Sequence, residues 1–325
     1  MSNFFYNKNV NRVCFFVFSS FFLQAEDLFV DFIQGTAPNK NFKEMFLQQE
    51  GLWADAKALY DKQVLNGQKT DHARIPFILH HIWLGSELPQ TCAQLRKSWI
   101  DRNPYWLFIL WTDNELNFAL GKVVNTFEDL HECLQQKKEQ FIVFDIRDII
   151  LTNQEAYDVT RNYGEKSDIL RYEVLYEFGG LYVDTDFECL KPFDIFHHYC
   201  DFYTGISYSA NFSFLNGLIG SAPKSDILKY CIEDLKSNDG KEAFLEIIYR
   251  TGPRHLTRSF FKALGKGYTG VAVGFPSTTF YPWPNWLRHE KNIDKIKSWT
   301  RPESFAIHYW HTTWWLKYRH FLDLL

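Results

Sequence analysis

Two aspartates, Asp184 and Asp186, stand two residues apart just after the short apolar run Leu181–Val183, which itself follows the pair Gly179 and Gly180. In an extended chain residues i and i+2 project to the same side, so two hard oxygen ligands can converge on Mg²⁺ or Mn²⁺ together with a diphosphate. A lone Asp-x-Asp is a weak motif whose ordinary reading is a solvated turn. Here the pair ends a buried-looking strand, where two carboxylates cost desolvation unless a cation compensates. Upstream, Asp168 and Arg171 lie three residues apart, so one helical face presents both to a common ligand. Their ordinary alternative is a surface ion pair. Near the carboxyl end, AIHYWHTTWW at Ala306–Trp315 gathers His308 as a metal-ligand candidate, Thr313 as a weak oxygen ligand or phosphate donor, and Trp314 as an indole donor or stacking surface. The pairs His80–His81 and His197–His198 lack helical ligand spacing and read as structural.

These side chains need elements to hold them. The run IPFILHHIWL, Ile75–Leu84, is β-prone and closes at Gly85, which predicts a buried first strand with Trp83 at its carboxyl end. A helix around Thr91–Arg102 follows, then a second strand over Trp106–Trp111, with Thr112, Asp113 and Asn114 able to cap the next helix. Strand, helix, strand predicts a parallel sheet, whose ligands sit outside the strands' carboxyl ends. Trp83 and the Trp111–Asp113 turn are therefore pocket candidates. Ser167 is placed to cap a helix carrying Leu170, Val174 and Leu175, which would put Asp168 and Arg171 in an anion-favouring first turn. Gly179 and Gly180 supply its stop.

The chain has 325 residues, 46% hydrophobic and 23% charged, with a net charge of −4. It can bury a large core, and it lacks the basic footprint of a duplex nucleic-acid binder. Six cysteines are widely spaced with no Cys-x-x-Cys pair, so neither a zinc knuckle nor a disulfide scaffold is indicated. Lys8 and Arg12 precede the apolar run Val13–Leu23, which reads as an export signal or short membrane anchor within residues 1–25, although Leu23 suits cleavage poorly; a Phe-rich core segment is the alternative. Residues 26–74 read as a helical extension and 75–325 as the main domain, with no internal repeat.

Three blocks, IPFILHHIWLG at Ile75–Gly85, SDILRYEVLYEFGGLYVDTDFECLKPFD at Ser167–Asp194 and the carboxyl-terminal AIHYWHTTWW, resemble the Asp-x-Asp sugar-binding-region glycosyltransferases of family 32. That family includes yeast-type mannosyltransferases and is related to clostridial glucosylating toxins. The resemblance implies an α/β GT-A fold and metal-dependent, retaining hexosyl transfer from a nucleotide-sugar to an acceptor hydroxyl on a glycan, lipid or protein, with Mn²⁺ or Mg²⁺ as cofactor. It implies that Trp83 stacks on the base, Asp168 binds ribose or sugar hydroxyls, and Arg171 contacts donor sugar or diphosphate. Asp184 would lie near ribose and sugar through the metal, Asp186 would be the direct metal ligand, and His308 would contact metal or diphosphate. Thr313 takes the family's serine position near the metal, a departure that adds a methyl group, and Trp314 would contact the leaving diphosphate. No side chain stands out as a catalytic nucleophile. Asp145 and Asp148 are acceptor-side candidates that a solvated helix face explains equally well.

Two other readings compete. A non-catalytic nucleotide-sugar or carbohydrate-binding module would keep the fold without turnover, and a two-metal phosphoryl enzyme would need a further converging carboxylate. The apolar amino-terminal run favours a secreted or membrane-anchored location, Golgi-like in a eukaryote, over a cytoplasmic one.

Overall fold

The central strand β1, Ile78–Ile82, is buried at every position, which is why its sequence runs apolar without alternation. A computed structural model describes residues 30–36, 51–66, 69–208, 212–235 and 244–311. The other strands are β2 Leu107–Thr112, β3 Lys122–Val124, β4 Phe141–Asp145, β5 Gly180–Val183, β6 Phe187–Cys189, β7 Phe202–Ile206, β8 Phe214–Ser221, β9 Ala272–Phe275 and β10 Ala306–His308. Eight form one sheet in the order β3-β4-β2-β1-β5-β8-β7-β9, and β6 pairs separately with β10. Within the large sheet β8 alone runs antiparallel, wedged between β5 and β7. The parallel half puts the ends of β1, β2 and β5 side by side, as the strand-helix-strand pattern predicts.

Helix α1, Leu52–Asn66, is the longest element described in the amino-terminal extension. Trp53 packs edge-on against Phe212 at 4.8 Å, and Tyr60 edge-on against Phe275 at 6.0 Å. The helix thereby covers the outer strand β9, an edge that would otherwise expose unpaired backbone. Helix α2, Gln90–Arg102, joins β1 to β2 and lies against β6: Trp99 Nε1 donates to Phe187 O at 3.1 Å, and Cys189 N to Ser98 Oγ at 2.8 Å. Asn114 caps not an α-helix but the 3₁₀ turn Glu115–Leu120. The apolar run Val13–Leu23 and Cys14 lie outside the described residues. Among those described, no helix is long and apolar enough to cross a membrane, and the five cysteines are free and buried.

Three of the four paired histidines, His80, His81 and His197, are core residues. His80 Nε2 bonds Gly179 O at 2.8 Å, His81 Nδ1 bonds Val183 O at 2.8 Å, and His197 Nε2 meets Tyr203 Oη at 3.1 Å. Burial holds them neutral, lowering His80 to about 4 and both His81 and His197 to about 3. The unfolded chain protonates near pH 6.5 and the folded chain does not, so each histidine withdraws stability as pH falls from 6.5 towards 4, by about 1.4 kcal/mol per pH unit. Urea unfolding from pH 7 to 4 should show this slope, and His197→Phe should flatten it by about one proton relative to the parent. Parallel slopes for parent and variant would refute the assignment.

Candidate functional site

Helix α3, Tyr163–Phe178, begins five residues earlier than Ser167 predicts, because Asn162 caps it by accepting from Glu165 N at 3.1 Å. Asp168 and Arg171 therefore lie inside the helix, not in its first turn, and the free-amide argument for an anion does not apply to them. Ser167 Oγ instead accepts from Arg171 Nη2 at 3.1 Å and meets Tyr182 Oη at 3.2 Å. The helix stops at Gly179 and Gly180, both at positive φ (64° and 103°), where a Cβ would strike Pro223 at 2.7 Å and Ile78 O at 2.6 Å. That abrupt turn aims β5 at the motif.

Asp168 and Arg171 are buried and paired, Nη2 to Oδ1, at 3.1 Å. Asp168 also accepts from Asn216 Nδ2 at 2.8 Å and Thr251 Oγ1 at 2.9 Å. Burial still pushes its carboxyl up to about 6 against the pull of Arg171 and Thr251. Arg171 donates from Nη1 to Asn216 O at 2.5 Å and from Nε to Ser167 O at 3.2 Å, and its guanidinium lies 4.3 Å from the Tyr182 ring centre. Burial alone would weaken that cation, but Tyr182, Asp168 and Asp184 outweigh it, so its charge is secure.

Arg171 continues to Asp184, with Nη2 3.5 Å from Oδ1, and Tyr182 Oη donates to the same oxygen at 2.6 Å. Asp184 and Asp186 converge through a tight turn in which Phe187 N bonds Asp184 O at 3.3 Å, rather than through the extended chain that the i, i+2 argument assumes. The β6–β10 pairing sets His308 opposite Phe187, so its ring stacks on that neighbour at 4.3 Å and Nε2 reaches Asp186 Oδ1 at 2.8 Å. Asp184 Oδ2 is 4.0 Å from the same nitrogen. Asp186 Oδ2 accepts the His311 N–H at 2.6 Å. Ligand atoms of Asp184, Asp186 and His308 lie within 4.8 Å of one another. Burial raises Asp184, and Asp186's charge pushes it the same way; burial would also raise Asp186, but His308 and His311 outweigh it and hold that carboxyl low.

Trp83 follows β1 at the same end of the sheet. Its Nε1 donates to Glu87 O at 3.1 Å, and its ring packs on Leu88, Cys92 and Leu110. Cys92 in turn meets Thr185 between the two aspartates. Trp111 is not a pocket residue: it is fully buried, stacked on Phe144 at 4.4 Å and bonded from Nε1 to His80 at 3.1 Å. Asp145 ends β4 in an ion pair with Arg147 at 2.6 Å, and Asp148 sits in the turn beyond, so neither lies on a helix face. Thr313 and Trp314 lie outside the described residues. A surface depression of about 590 Å³ along Lys69–Arg74 is at the opposite end of the sheet, where Arg74 pairs with Asp201 ahead of β7.

Tyr182, Asn216, Gly217, Thr251 and Tyr281 join the site without having been expected. The only sequence signal for two of them is the polar Asn-Gly step inside the apolar run Phe214–Ser221. Gly217 O accepts from Asp184 N at 2.8 Å, and a Cβ on Gly217 would stand 2.6 Å from Asp184 Oδ2. Gly217→Ala should displace that carboxylate from Tyr182 and Arg171 and lower donor turnover by about tenfold or more, since roughly 1.4 kcal/mol suffices. A variant with parental turnover would show that Asp184 moves freely.

The model of the glycosyltransferase sugar-binding region containing the DXD motif matches residues 89–202, from the start of α2 to the start of β7. The fold is an α/β domain on a mostly parallel sheet, and the matched segment is the one that carries the Asp184–Asp186 turn. The matched segment, about a third of the chain, contains Asp168, Arg171, Asp184 and Asp186. The chain is 26% identical to inositol phosphoceramide mannosyltransferase 3 of Schizosaccharomyces pombe, over 61% of this chain and 48% of that protein. It is 35% identical to an uncharacterized glycosyltransferase, L373, of Acanthamoeba polyphaga mimivirus, over 51% and 58%. The chain thus spans about half the length of these curated relatives. Among solved structures, PaToxG glycosyltransferase aligns over 68% of this chain and 77% of its own, with a TM-score of 0.47 and 16% identity.

Proposed function

We propose that this domain moves a hexose from a nucleotide-sugar to an acceptor hydroxyl, with retention at the anomeric carbon and a divalent cation, Mn²⁺ or Mg²⁺, as cofactor. The observation that carries the reading is the continuous polar chain Asp168–Arg171–Asp184 running into Asp186–His308 at the carboxyl end of β5. The residues fit such an ion: two carboxylates, both held by hydrogen bonds, supply hard oxygen donors matched in charge to a dication. Asp186 would hold it directly, with Asp184 lending its charge. His308 fits better as the group that orients Asp186 than as a ligand, because its Nδ1 is buried without a partner among the described residues. A metal-bound imidazole nearly always donates its other N–H. Bound there, the ion would neutralise the diphosphate and the charge growing on its departing oxygen.

Arg171 supplies a fixed cation that needs no reorganisation as the nucleoside diphosphate leaves. Asp168, already accepting three hydrogen bonds or ion-pair contacts, acts first by holding Arg171 and Asn216. Trp83, its N–H committed to Glu87, offers a fixed ring face for the base. Thr313 and Trp314 complete the metal and diphosphate side in this reading. The name of the fission-yeast relative pairs mannose with inositol phosphoceramide, which supports a hexose donor and a lipid-borne hydroxyl acceptor. Hydrolysis of a panel of UDP- and GDP-hexoses, with Mn²⁺ or with EDTA, tests the proposal. Metal-dependent release of free sugar is expected. Donor binding without any turnover would instead identify a non-catalytic binding module.

A further inference from the structure

A single exposed indole is ordinary on a protein surface, but Trp286, 48% exposed, is held firmly. It lies in the 3₁₀ turn Asn285–Leu287, after Pro282 and Pro284, and the flanking Trp283 and Leu287 pack into the small core of Ile296 and Ile307. Tyr208 meets the indole at 6.2 Å with the rings inclined at 62°, so it steadies Trp286 without covering its face by stacking. The Tyr208 hydroxyl makes no hydrogen bond among the described residues, yet it is not sealed from solvent. Beyond burial, the charges that act on it are those of Arg301 and Glu303. A half-bare indole, a reachable phenol, a cationic donor and an anionic acceptor thus share one patch.

The sheet fixes where that patch lies. Trp83 follows β1 and Asp184 follows β5, while Tyr208 follows β7, which runs parallel to β5 on the far side of β8. Tyr208 is therefore at the same end of the sheet as the motif, on the flank opposite Trp83. Asp184 N bonds Gly217 O, and Ser207 N bonds Ser213 O four residues further out along β8, a rise of about 13 Å. Base, diphosphate and sugar are joined in that order, so a donor spanning Trp83 and the motif carries its sugar towards this flank. The acceptor must approach from there. A planar indole suits the C–H face of a six-membered ring, and hydroxyls on its edge both donate and accept, matching the phenol, guanidinium and carboxylate. An acyl chain would desolvate those three groups without pairing them. Resting on the glycosyltransferase reading above, we propose that Trp286 and Tyr208, with Arg301 and Glu303 beside them, form the acceptor subsite and take a ring polyol, a pyranose or a cyclitol. In the step it serves, an acceptor oxygen bonds the anomeric carbon, the bond to the diphosphate breaks, and the acceptor's proton leaves with the nucleoside diphosphate.

The full chain tests this with a UDP- or GDP-hexose that it hydrolyses, offered methyl hexopyranosides, myo-inositol or glycerol as acceptors. The parent should glycosylate a ring acceptor in preference to glycerol. Trp286→Ala should lower the ratio of transfer to hydrolysis for that ring by about tenfold or more, and Tyr208→Phe, which loses one hydrogen bond, by about threefold to tenfold. Trp286→Phe restores a ring face and should recover part of the loss. Trp286 is half exposed, so Trp286→Ala should keep the parental melting point. A parent that transfers to no ring, or uses glycerol equally well, overturns the subsite, and so does a parental ratio in Trp286→Ala. Weaker binding of Trp286→Ala to phosphatidylinositol vesicles, with that ratio unchanged, overturns it too and assigns the indole to a lipid surface. A parent that hydrolyses no donor removes the underlying reading, and that outcome appears before any acceptor is added.

Discussion

Asp186→Asn is expected to reduce metal-dependent donor hydrolysis by at least about 10²–10³-fold, the loss typical of removing one preorganised electrostatic contact. The substitution keeps side-chain volume but replaces one acceptor oxygen with an NH₂ group. In the parent both oxygens are engaged by N–H donors, His308 Nε2 at 2.8 Å and His311 N at 2.6 Å. The amide must set its own N–H against one of them, so the side chain rotates or the His311 backbone contact opens. The negative charge that would hold a dication disappears at the same time. Fold should survive, because Asp186 sits in a turn at the sheet's end and not in a strand. Turnover within threefold of the parent, in a variant of unchanged circular dichroism and melting point, would exclude Asp186 as the cation's anchor.

Arg171→Met should have the largest effect on stability, about 3–5 kcal/mol, because it breaks a buried ion pair from one side. Arg171 is 4% exposed and serves Asp168, Asp184, Asn216 O and Ser167 together. Methionine fills much of the space but strands the Asp168 carboxylate in a medium that already pushes it up to about 6. Adding Asp168→Asn should therefore recover part of the lost stability while turnover remains abolished. Arg171→Lys keeps the charge but cannot reproduce the fork to Asn216, Ser167 and Asp168, so it should fold better than the methionine variant and still turn over poorly. Urea unfolding and donor hydrolysis on the same four proteins separate the two roles. If the double variant is no more stable than Arg171→Met, stranded charge is not the reason for the loss.

Local pattern carried much of this. The β1–α2–β2 unit shows in the sequence because strands buried on both faces must be apolar throughout, and the Gly179–Gly180 stop shows because positive φ excludes most other residues. Asp168, Arg171, Asp184 and Asp186 lie within 19 residues of one another, so one segment of sequence places them. Residues brought in by sheet insertion are harder to see. Asn216 and Gly217 reach the motif because the antiparallel β8 slots between β5 and β7, and Tyr281 arrives about 100 residues after it on the turn following Ser277–Phe280. Beyond the polar Asn216–Gly217 step in an apolar run, nothing local marks those approaches. Ser167 was misleading for a related reason: Asn162 is an equally good cap, and which of two caps starts a helix depends on what the extra turn packs against. His308 gained its place from the register of β6 with β10, which periodicity alone does not set.

The proposed transfer requires Asp184 and Asp186 to act together as a cation and diphosphate site. Calorimetric titration of Mn²⁺ into the full chain with saturating UDP or GDP measures this directly. One ion per chain is expected for the parent, with nucleotide affinity that weakens in EDTA, and no saturable binding for Asp186→Asn. Equal Mn²⁺ binding by the parent and Asp186→Asn, or nucleotide binding indifferent to the metal, would contradict it.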